Sequence, residues 1–377
     1  GPLAMGHWHF WTTPEEVGEH QPLELIGQPF KLVLDGRLDN RQEIIAALGI
    51  PSSDSEHLSD ACLVLLSYEF WGQRCFEHFL GEYALVIFDE RKGELFCARD
   101  ALGERTLYYN LNATRLVVAS EPWAVAGAFS LPPDLDEIDT AYYFAKQVSK
   151  AGQTLFKNIH ELAPAHVQRV NQSGQHIWRY WQPNISDKIH YRSDQEYAEH
   201  FLSLLEESVR GCLRSTTLVG VQMSGGLDST SIACLAARML APQTLTTVSC
   251  VYDELVDCDE REYIKTVIEA WGIRSIQIPC DDAWPFRDLQ HWIQNRNYPD
   301  TNPFRLVLER VYQKACHEGM RVLLTGDFAD HMFDAGDNWL ADLLNEGKLL
   351  EAWRELVNNV QYLGLATFWK RGFLQAA

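Results

Sequence analysis

The chain has 377 residues, 46% of them hydrophobic and 22% charged, which is the composition of a folded protein long enough for two domains. Its formal net charge of −20 excludes a surface built for nucleic acid or for an anionic membrane, because no basic excess offsets phosphates. Nine cysteines without a Cys-x-x-Cys pair exclude a zinc ribbon and a dense disulfide framework. They fit a reducing cytosol. No apolar run approaches the ~20 residues of a membrane span, and no signal peptide is recognisable. A cytoplasmic location, with no nucleic-acid or membrane partner, is expected.

Gly1-Pro2-Leu3-Ala4-Met5 reads as a leftover of recombinant expression and is set aside. Residues 30–34 form a strand-like run ending at Asp35-Gly36, a turn signal. Residues 59–71 read as a helix burying Ala61, Cys62, Leu65 and Tyr68. The continuous apolar run 81–89, the turn 91–93 and the strand 94–98 make a hairpin. Residues 106–110 and 115–120 make a further strand pair. Pro132-Pro133 and the polar stretch 184–193 punctuate the chain, and a boundary near residue 190 divides it into domains 6–190 and 191–377.

The second half alternates strand and helix, which signals a parallel sheet with crossovers. Its first unit, 218–240, is a short apolar run, the turn Ser224-Gly225-Gly226, and a helix with Ile232, Leu235, Ala236, Met239 and Leu240 on one face. Ser229 and Thr230 are candidate caps of that helix. Strands follow at 245–251, 275–279 and 321–325. Helices follow at 260–271, closed by Gly272, and from Asn302-Pro303 to Gly319. Leu349, Trp353, Leu356 and Val360 mark the packed face of a C-terminal helix.

A strand, a glycine turn and a helix N-terminus make an anion site, in which backbone N–H groups approach a phosphate. There is no Gly-Lys-Ser/Thr, so this is not the Walker loop. Asp228 lies inside the turn. A carboxylate beside a phosphate is repulsive unless a hard cation lies between them, so Asp228 reads as a Mg²⁺ ligand. Gly326-Asp327-Phe328-Ala329-Asp330 also follows a strand, and in a doubly wound sheet ligands bind at the carboxyl ends of strands. Asp228 and Asp330 are then expected to share Mg²⁺ on the bound phosphate. The alternatives are a glycine turn used only for packing, and for Asp330 a solvated carboxylate or helix cap.

Ser224-Gly225-Gly226-Leu227-Asp228-Ser229 resembles the pyrophosphate loop of the N-type ATP pyrophosphatases, which cleave ATP between the α and β phosphates and activate a carboxylate as an acyl-adenylate. Glu19-His20-Gln21-Pro22-Leu23, Asp35-Gly36-Arg37-Leu38-Asp39-Asn40, the run 81–89, Arg99-Asp100-Ala101-Leu102-Gly103 and Ala119-Ser120-Glu121 resemble the amidotransferase-type domain of asparagine synthetase. The loop and residues 325–333 are similar to its synthetase domain. The resemblance implies an α/β protein. Its N-terminal part is a glutaminase-like αββα sandwich of antiparallel sheets, and its C-terminal part is a doubly wound ATP pyrophosphatase domain, incomplete at its C-terminus. It implies ATP and Mg²⁺ as cofactors. It places Ser224, Gly225, Gly226, Leu227, Asp228, Ser229, Val248 and Gly326 on the nucleotide, and Asp228 and Asp330 on the metal.

The departures point to a subtype. Glutamine-using members begin with a cysteine nucleophile, whereas the first cysteine here is Cys62, in a predicted helix. Asp35 stands where the family has its oxyanion-hole asparagine, and an ionised aspartate repels a developing oxyanion. Residues 6–190 therefore read as a degenerate glutaminase-like domain. His331 follows Asp330 where the family has an acid, and is read as a packing histidine. Lys370 is too close to Asp330 to be the family's catalytic lysine, so no catalytic residue is assigned. The resemblance is greatest to lasso-peptide macrolactam cyclases and β-lactam synthetases. The expected partners are a precursor peptide with its leader-binding and protease proteins, and a homo-oligomer is compatible. A peptide-gripping wall is expected over 284–305, from Trp284, Phe286, Trp292, Tyr298 and Phe304. The alternatives are an asparagine synthetase proper and a non-catalytic scaffold.

Overall fold

The computed structural model describes residues 3–55, 57–129, 134–147, 150–184, 186–285, 287, 302–330, 339–345 and 347–363. Two antiparallel sheets occupy the first half. One has the order β1-β2-β3-β7-β8, from β1 (Phe30–Gly36), β2 (Tyr83–Asp89), β3 (Glu94–Arg99), β7 (His166–Asn171) and β8 (Gly174–Arg179). The other has the order β5-β4-β6, from β4 (Tyr108–Leu111), β5 (Leu116–Ala119) and β6 (His160–Glu161).

The helices of this half are α1 (Arg41–Ala47), α2 (Ser52–Ser55), α3 (Asp60–Trp71), α4 (Pro122–Gly127) and α5 (Glu137–Phe144). Strand β2 is apolar from Tyr83 to Phe88 because both of its faces are covered. Leu85 and Ile87 join Leu32, Phe96 and the α3 residues Leu65 and Tyr68 in one core cluster. Ala84, with Val86 packed against it, joins Cys97, Leu107 and Leu162 between the sheets. Helix α4 closes the far side through Val125 and Ala126, against Tyr108 and Phe156. The layers are thus helix, sheet, sheet, helix. Ser59 caps α3 by accepting from the Cys62 amide at 3.1 Å.

The second half holds an all-parallel sheet of order β11-β10-β9-β12, from β9 (Val219–Gln222), β10 (Thr246–Val251), β11 (Arg274–Pro279) and β12 (Val322–Leu324). Helices α6 (Asp194–Cys212), α7 (Leu227–Leu240) and α8 (Arg261–Trp271) supply Val209, Leu235 and Ile264 to the cluster on one face. Helix α9 (Arg305–His317) supplies Val311 and Ala315 to the other. Helices on both faces of a parallel sheet make the doubly wound arrangement. Gly272 ends α8 in the left-handed conformation, at φ 63°. Two further helices, α10 (Trp339–Asn345) and α11 (Leu349–Leu363), follow.

The halves are joined by a buried ion network. Arg214, on the segment leading into β9, donates to Asp60 Oδ2 at 2.7 Å, to Leu38 O at 2.8 Å and to Glu15 Oε2 at 3.1 Å. Arg41 also bonds Asp60, whose residue is fully buried. Burial alone would raise the Asp60 carboxyl. The hydrogen bonds from Arg214, and then the charges of Arg214 and Arg41, outweigh it and hold Asp60 below the ordinary carboxylate value. The Thr216 amide donates to Thr12 O at 2.8 Å, fastening the same segment.

Several sequence expectations change. Asp35 and Gly36 do not turn: they are the last residues of β1, opposite Ala84 and Tyr83. Glycine is required there because a Cβ would lie 2.0 Å from Glu82 O and φ is +132°. The helix start expected at Asn302-Pro303 is displaced, since Asn302 accepts from the Phe304 amide at 2.9 Å in a turn and α9 begins only at Arg305. Leu349 and Trp353 are exposed where the packed stripe was expected, Leu356 is half-buried, and Ala352 is the buried residue of that turn of α11. Pro132-Pro133, Phe286, Trp292, Tyr298, His331, Lys370 and the Val360 side chain lie outside the described residues.

Candidate active site

Strand β9 leads to β10 and then β11 on one side, and β12 returns on the other. The strand order therefore reverses between β9 and β12, the kind of switch point at which doubly wound sheets bind ligands beyond the carboxyl ends of their strands. The loop after β9 turns at Gly225, with φ +103°, a conformation side chains disfavour. A Cβ there would also meet Glu260 Cβ at 3.1 Å and Tyr263 Cβ at 3.2 Å, so the start of α8 packs directly on the loop. This neighbour was not foreseen, because Glu260 and Tyr263 carry no motif.

Hydroxyls hold the loop closed. The Ser224 amide donates to Ser229 Oγ at 3.1 Å, and the two serine hydroxyls lie 3.1 Å apart. The Gly226 amide points at Ser224 Oγ, at 3.3 Å. Gly226 is the N-cap of α7 and no side chain caps the helix. Ser229 and Thr230 are not its caps: Ser229 braces Ser224, and Thr230 Oγ1 donates back to Gly226 O at 2.8 Å. Asp228 sits in the first turn of α7, part-exposed, and Leu227 is 84% exposed beside it.

The loop after β12 comes into contact with this turn. A Cβ on Gly326 would lie 2.7 Å from Ser229 N and 3.0 Å from both the carbonyl carbon and Cβ of Asp228. The two strand-end loops thus touch, glycine against helix start. Asp330 is exposed four residues on. Neither Asp228 nor Asp330 has an ion-pair partner among the described residues. Among those residues no three His, Cys, Asp or Glu side chains form a ready-made metal cage. Two open carboxylates suit Mg²⁺, which keeps waters and takes its other ligands from phosphate oxygens. The Val248 side chain is fully buried among Val311, Ala315 and Met320, so only its backbone is placed to meet a nucleotide.

A second concavity, of about 620 Å³, opens between the sheets of the first half and is lined by Val33, Asp35, Ala84, Arg105, Thr106 and Ser120 among others. Asp100 is buried and accepts from the amides of Leu102, Gly103, Glu104 and Arg105 at 2.6 to 3.0 Å. That turn presents Arg105, whose guanidinium lies 3.6 Å from Asp35 Oδ1 and 3.4 Å from Glu82 Oε2. Leu3, Ala4 and Met5 line the same space.

The family model for a glutamine amidotransferase domain matches residues 2–181, and the model for asparagine synthase matches residues 200–375. The chain belongs to the asparagine synthetase family. The match begins at residue 2 and so takes in Leu3, Ala4 and Met5. Asparagine synthetase [glutamine-hydrolyzing] 3 of Bacillus subtilis (strain 168) is 26% identical over 391 residues, covering 96% of this chain and 62% of that protein. Amidase chyE of Penicillium rubens is 28% identical over 366 residues, covering 91% and 53%. The chain thus spans between about half and three-fifths of the length of these relatives. Among solved structures, the glutamine phosphoribosylpyrophosphate amidotransferase from B. subtilis is similar at 13% identity and a TM-score of 0.31, over 81% of this chain and 73% of that one. No helix among the described residues is long and apolar enough to cross a membrane.

Proposed function

We propose that this chain carries the ATP-binding half of an amide-forming synthetase, which adenylates a carboxylate and releases pyrophosphate. The observation that supports the reading is the close approach of Gly326 to Asp228 and Ser229, which brings the two strand-end loops together beside the switch point. The Gly225 amide and the uncapped amides at the start of α7 would hold the β and γ phosphates. Asp228 and Asp330 would hold Mg²⁺, whose charge would offset that of the phosphates. Binding in this way fixes the α-phosphate for attack by a carboxylate oxygen, and the crevice must keep water from the adenylate that results. The domain boundary belongs to the same proposal and falls between Arg179 and Asp194.

The finer reading is a peptide macrolactam cyclase, in which an N-terminal amine attacks an activated Asp or Glu side chain. Asp35 supports it: a carboxylate paired to Arg105 cannot donate to the oxyanion of glutamine hydrolysis, so an acceptor other than glutamine-derived ammonia fits better. Trp284 and Phe304, both exposed, would lie on the peptide side. The names of the relatives favour the second reading, asparagine formed from aspartate. Supplying a candidate peptide, or aspartate with glutamine or ammonia, and assaying AMP separates the two. AMP that requires aspartate and a nitrogen donor, with no dehydrated peptide, overturns the cyclase.

A further inference from the structure

Strand β10 ends in Cys250-Val251, and β11 runs directly into Cys280. Cys250 pairs with Ile278 in the parallel ladder, and the Cys280 amide donates to Val251 O at 2.9 Å. Cys250 and Cys280 therefore lie diagonally on one face of the strand pair, toward α9. Cys250 is half-buried and Cys280 is buried beside it. Arg310 of α9 is anchored close by, donating to Pro279 O at 3.2 Å and to Asp282 Oδ1 at 2.6 Å. The neighbouring Cys250 thiol, and then the Arg310 charge, hold the Cys280 thiol below its ordinary value against the opposing effect of burial. Among the described residues every cysteine is free.

We propose that Cys250 and Cys280 are a reversible oxidation site, closing to an intramolecular disulfide when the protein meets hydrogen peroxide. The Cys280 thiolate attacks one peroxide oxygen and the O–O bond breaks. The departing hydroxide takes up the proton that the thiol released, giving one water. Cys250 sulfur then attacks the sulfenic sulfur, the S–S bond forms, and the sulfenic hydroxyl leaves with the Cys250 proton as a second water. Both sulfurs are oxidised by one electron each, and both peroxide oxygens are reduced.

The bridge moves a neighbouring turn. A disulfide holds its two Cα atoms no more than ~6.8 Å apart. Closing it draws Cys280, which lies just beyond the last residue of β11, toward Cys250. Asp281 follows it. That carboxylate accepts from the amides of Asp253, Glu254 and Leu255 at 2.9, 2.6 and 3.1 Å, and so anchors the loop after β10. The same loop runs on to Glu260, which abuts Gly225. Oxidation therefore loosens the support of the phosphate loop. This coupling rests on the synthetase reading; the disulfide does not.

The test is peptide mapping of the protein after hydrogen peroxide and alkylation. The expected result is a cross-link between tryptic peptides 239–261 and 275–287, lighter than the two reduced peptides by two hydrogens and reversed by dithiothreitol. It should persist in Cys258→Ser and vanish in Cys250→Ser. No cross-link, oxidation only to sulfinic acids, or a link that persists in Cys250→Ser overturns the proposal. Oxidised wild type should also lose ATP–pyrophosphate exchange about tenfold or more, as ångström-scale displacements cost up to ~10²-fold, with Cys250→Ser spared. A cross-link with unchanged exchange overturns the coupling. Exchange absent from the reduced protein overturns the synthetase reading and leaves the cross-link to decide the disulfide.

Discussion

Replacing Gly326 by alanine adds one methyl group where the two strand-end loops meet. The new carbon would lie 2.7 Å from Ser229 N, about 0.7 Å short of the 3.4 Å at which ordinary contact begins, and 3.0 Å from two atoms of Asp228. Two of those three neighbours are backbone atoms at the start of α7, so no flexible side chain can swing aside. Gly326 has no positive φ, so the effect is one of space alone. Overpacking of this kind costs about 1–3 kcal/mol, and each kcal/mol lowers the melting temperature by roughly 2–4 °C for a domain of this size. The functional effect should be larger. Parting the loops by most of an ångström moves Asp228 relative to Asp330, and such misplacement costs on the order of 10²-fold in rate. Thermal unfolding and ATP–pyrophosphate exchange measured side by side check both numbers. Gly127→Ala, at a site with ordinary φ and nothing within 4 Å, is the control and should leave both unchanged to within about 1 kcal/mol. A Gly326→Ala protein with wild-type exchange and stability would refute the contact and the crevice built on it.

Asp228→Asn should abolish exchange while shifting the melting temperature little, because Asp228 has no ion-pair partner among the described residues and its charge serves the metal; exchange that survives removes it as a ligand. Asp60→Asn should destabilise by up to about 3–5 kcal/mol, since it leaves Arg41 and Arg214 with Glu15 as their one shared counter-charge among the described residues. The depressed Asp60 carboxyl contributes stability that is present above its unfolded value, near 3.8, and lost as pH falls through the lower folded value. Melting temperatures from pH 7 to pH 2 should accordingly fall more steeply below pH 4 for wild type than for Asp60→Asn; parallel curves would contradict the pairing. Glutamine alone should release no glutamate above background, because Asp35 repels an oxyanion; brisk release would restore the glutamine-dependent reading.

The order of elements was legible in the sequence wherever hydrophobic periodicity was undisturbed. The hairpin of β2 and β3, the alternation of β9 to β12 with helices, and the Gly272 stop of α8 all appear as read. What the sequence hid was set by tertiary packing. Asp35-Gly36 carries a turn signature, yet it stays in β1 because the glycine lets Glu82 O approach. Val248 sat on the strand next to the phosphate loop, but the alternation of that strand turns it into the core under α9. Leu349 and Trp353 have helical spacing without a partner surface among the described residues. Within the candidate site the six-residue loop was visible because glycines, hydroxyls and an acid fall in one short stretch. The packing of Glu260 and Tyr263 on Gly225, and the arginine network through Asp60, join residues tens to more than a hundred positions apart with no local pattern.

The most direct measurement is the fate of ATP itself. The protein is incubated with ATP, Mg²⁺ and a candidate carboxylate, either a peptide with a free N-terminal amine or aspartate, and the nucleotide and phosphate products are resolved by ³¹P NMR. The account predicts AMP and pyrophosphate, formed only when the carboxylate is present and lost in Asp228→Asn. ADP with inorganic phosphate, or AMP formation indifferent to Asp228, would contradict it.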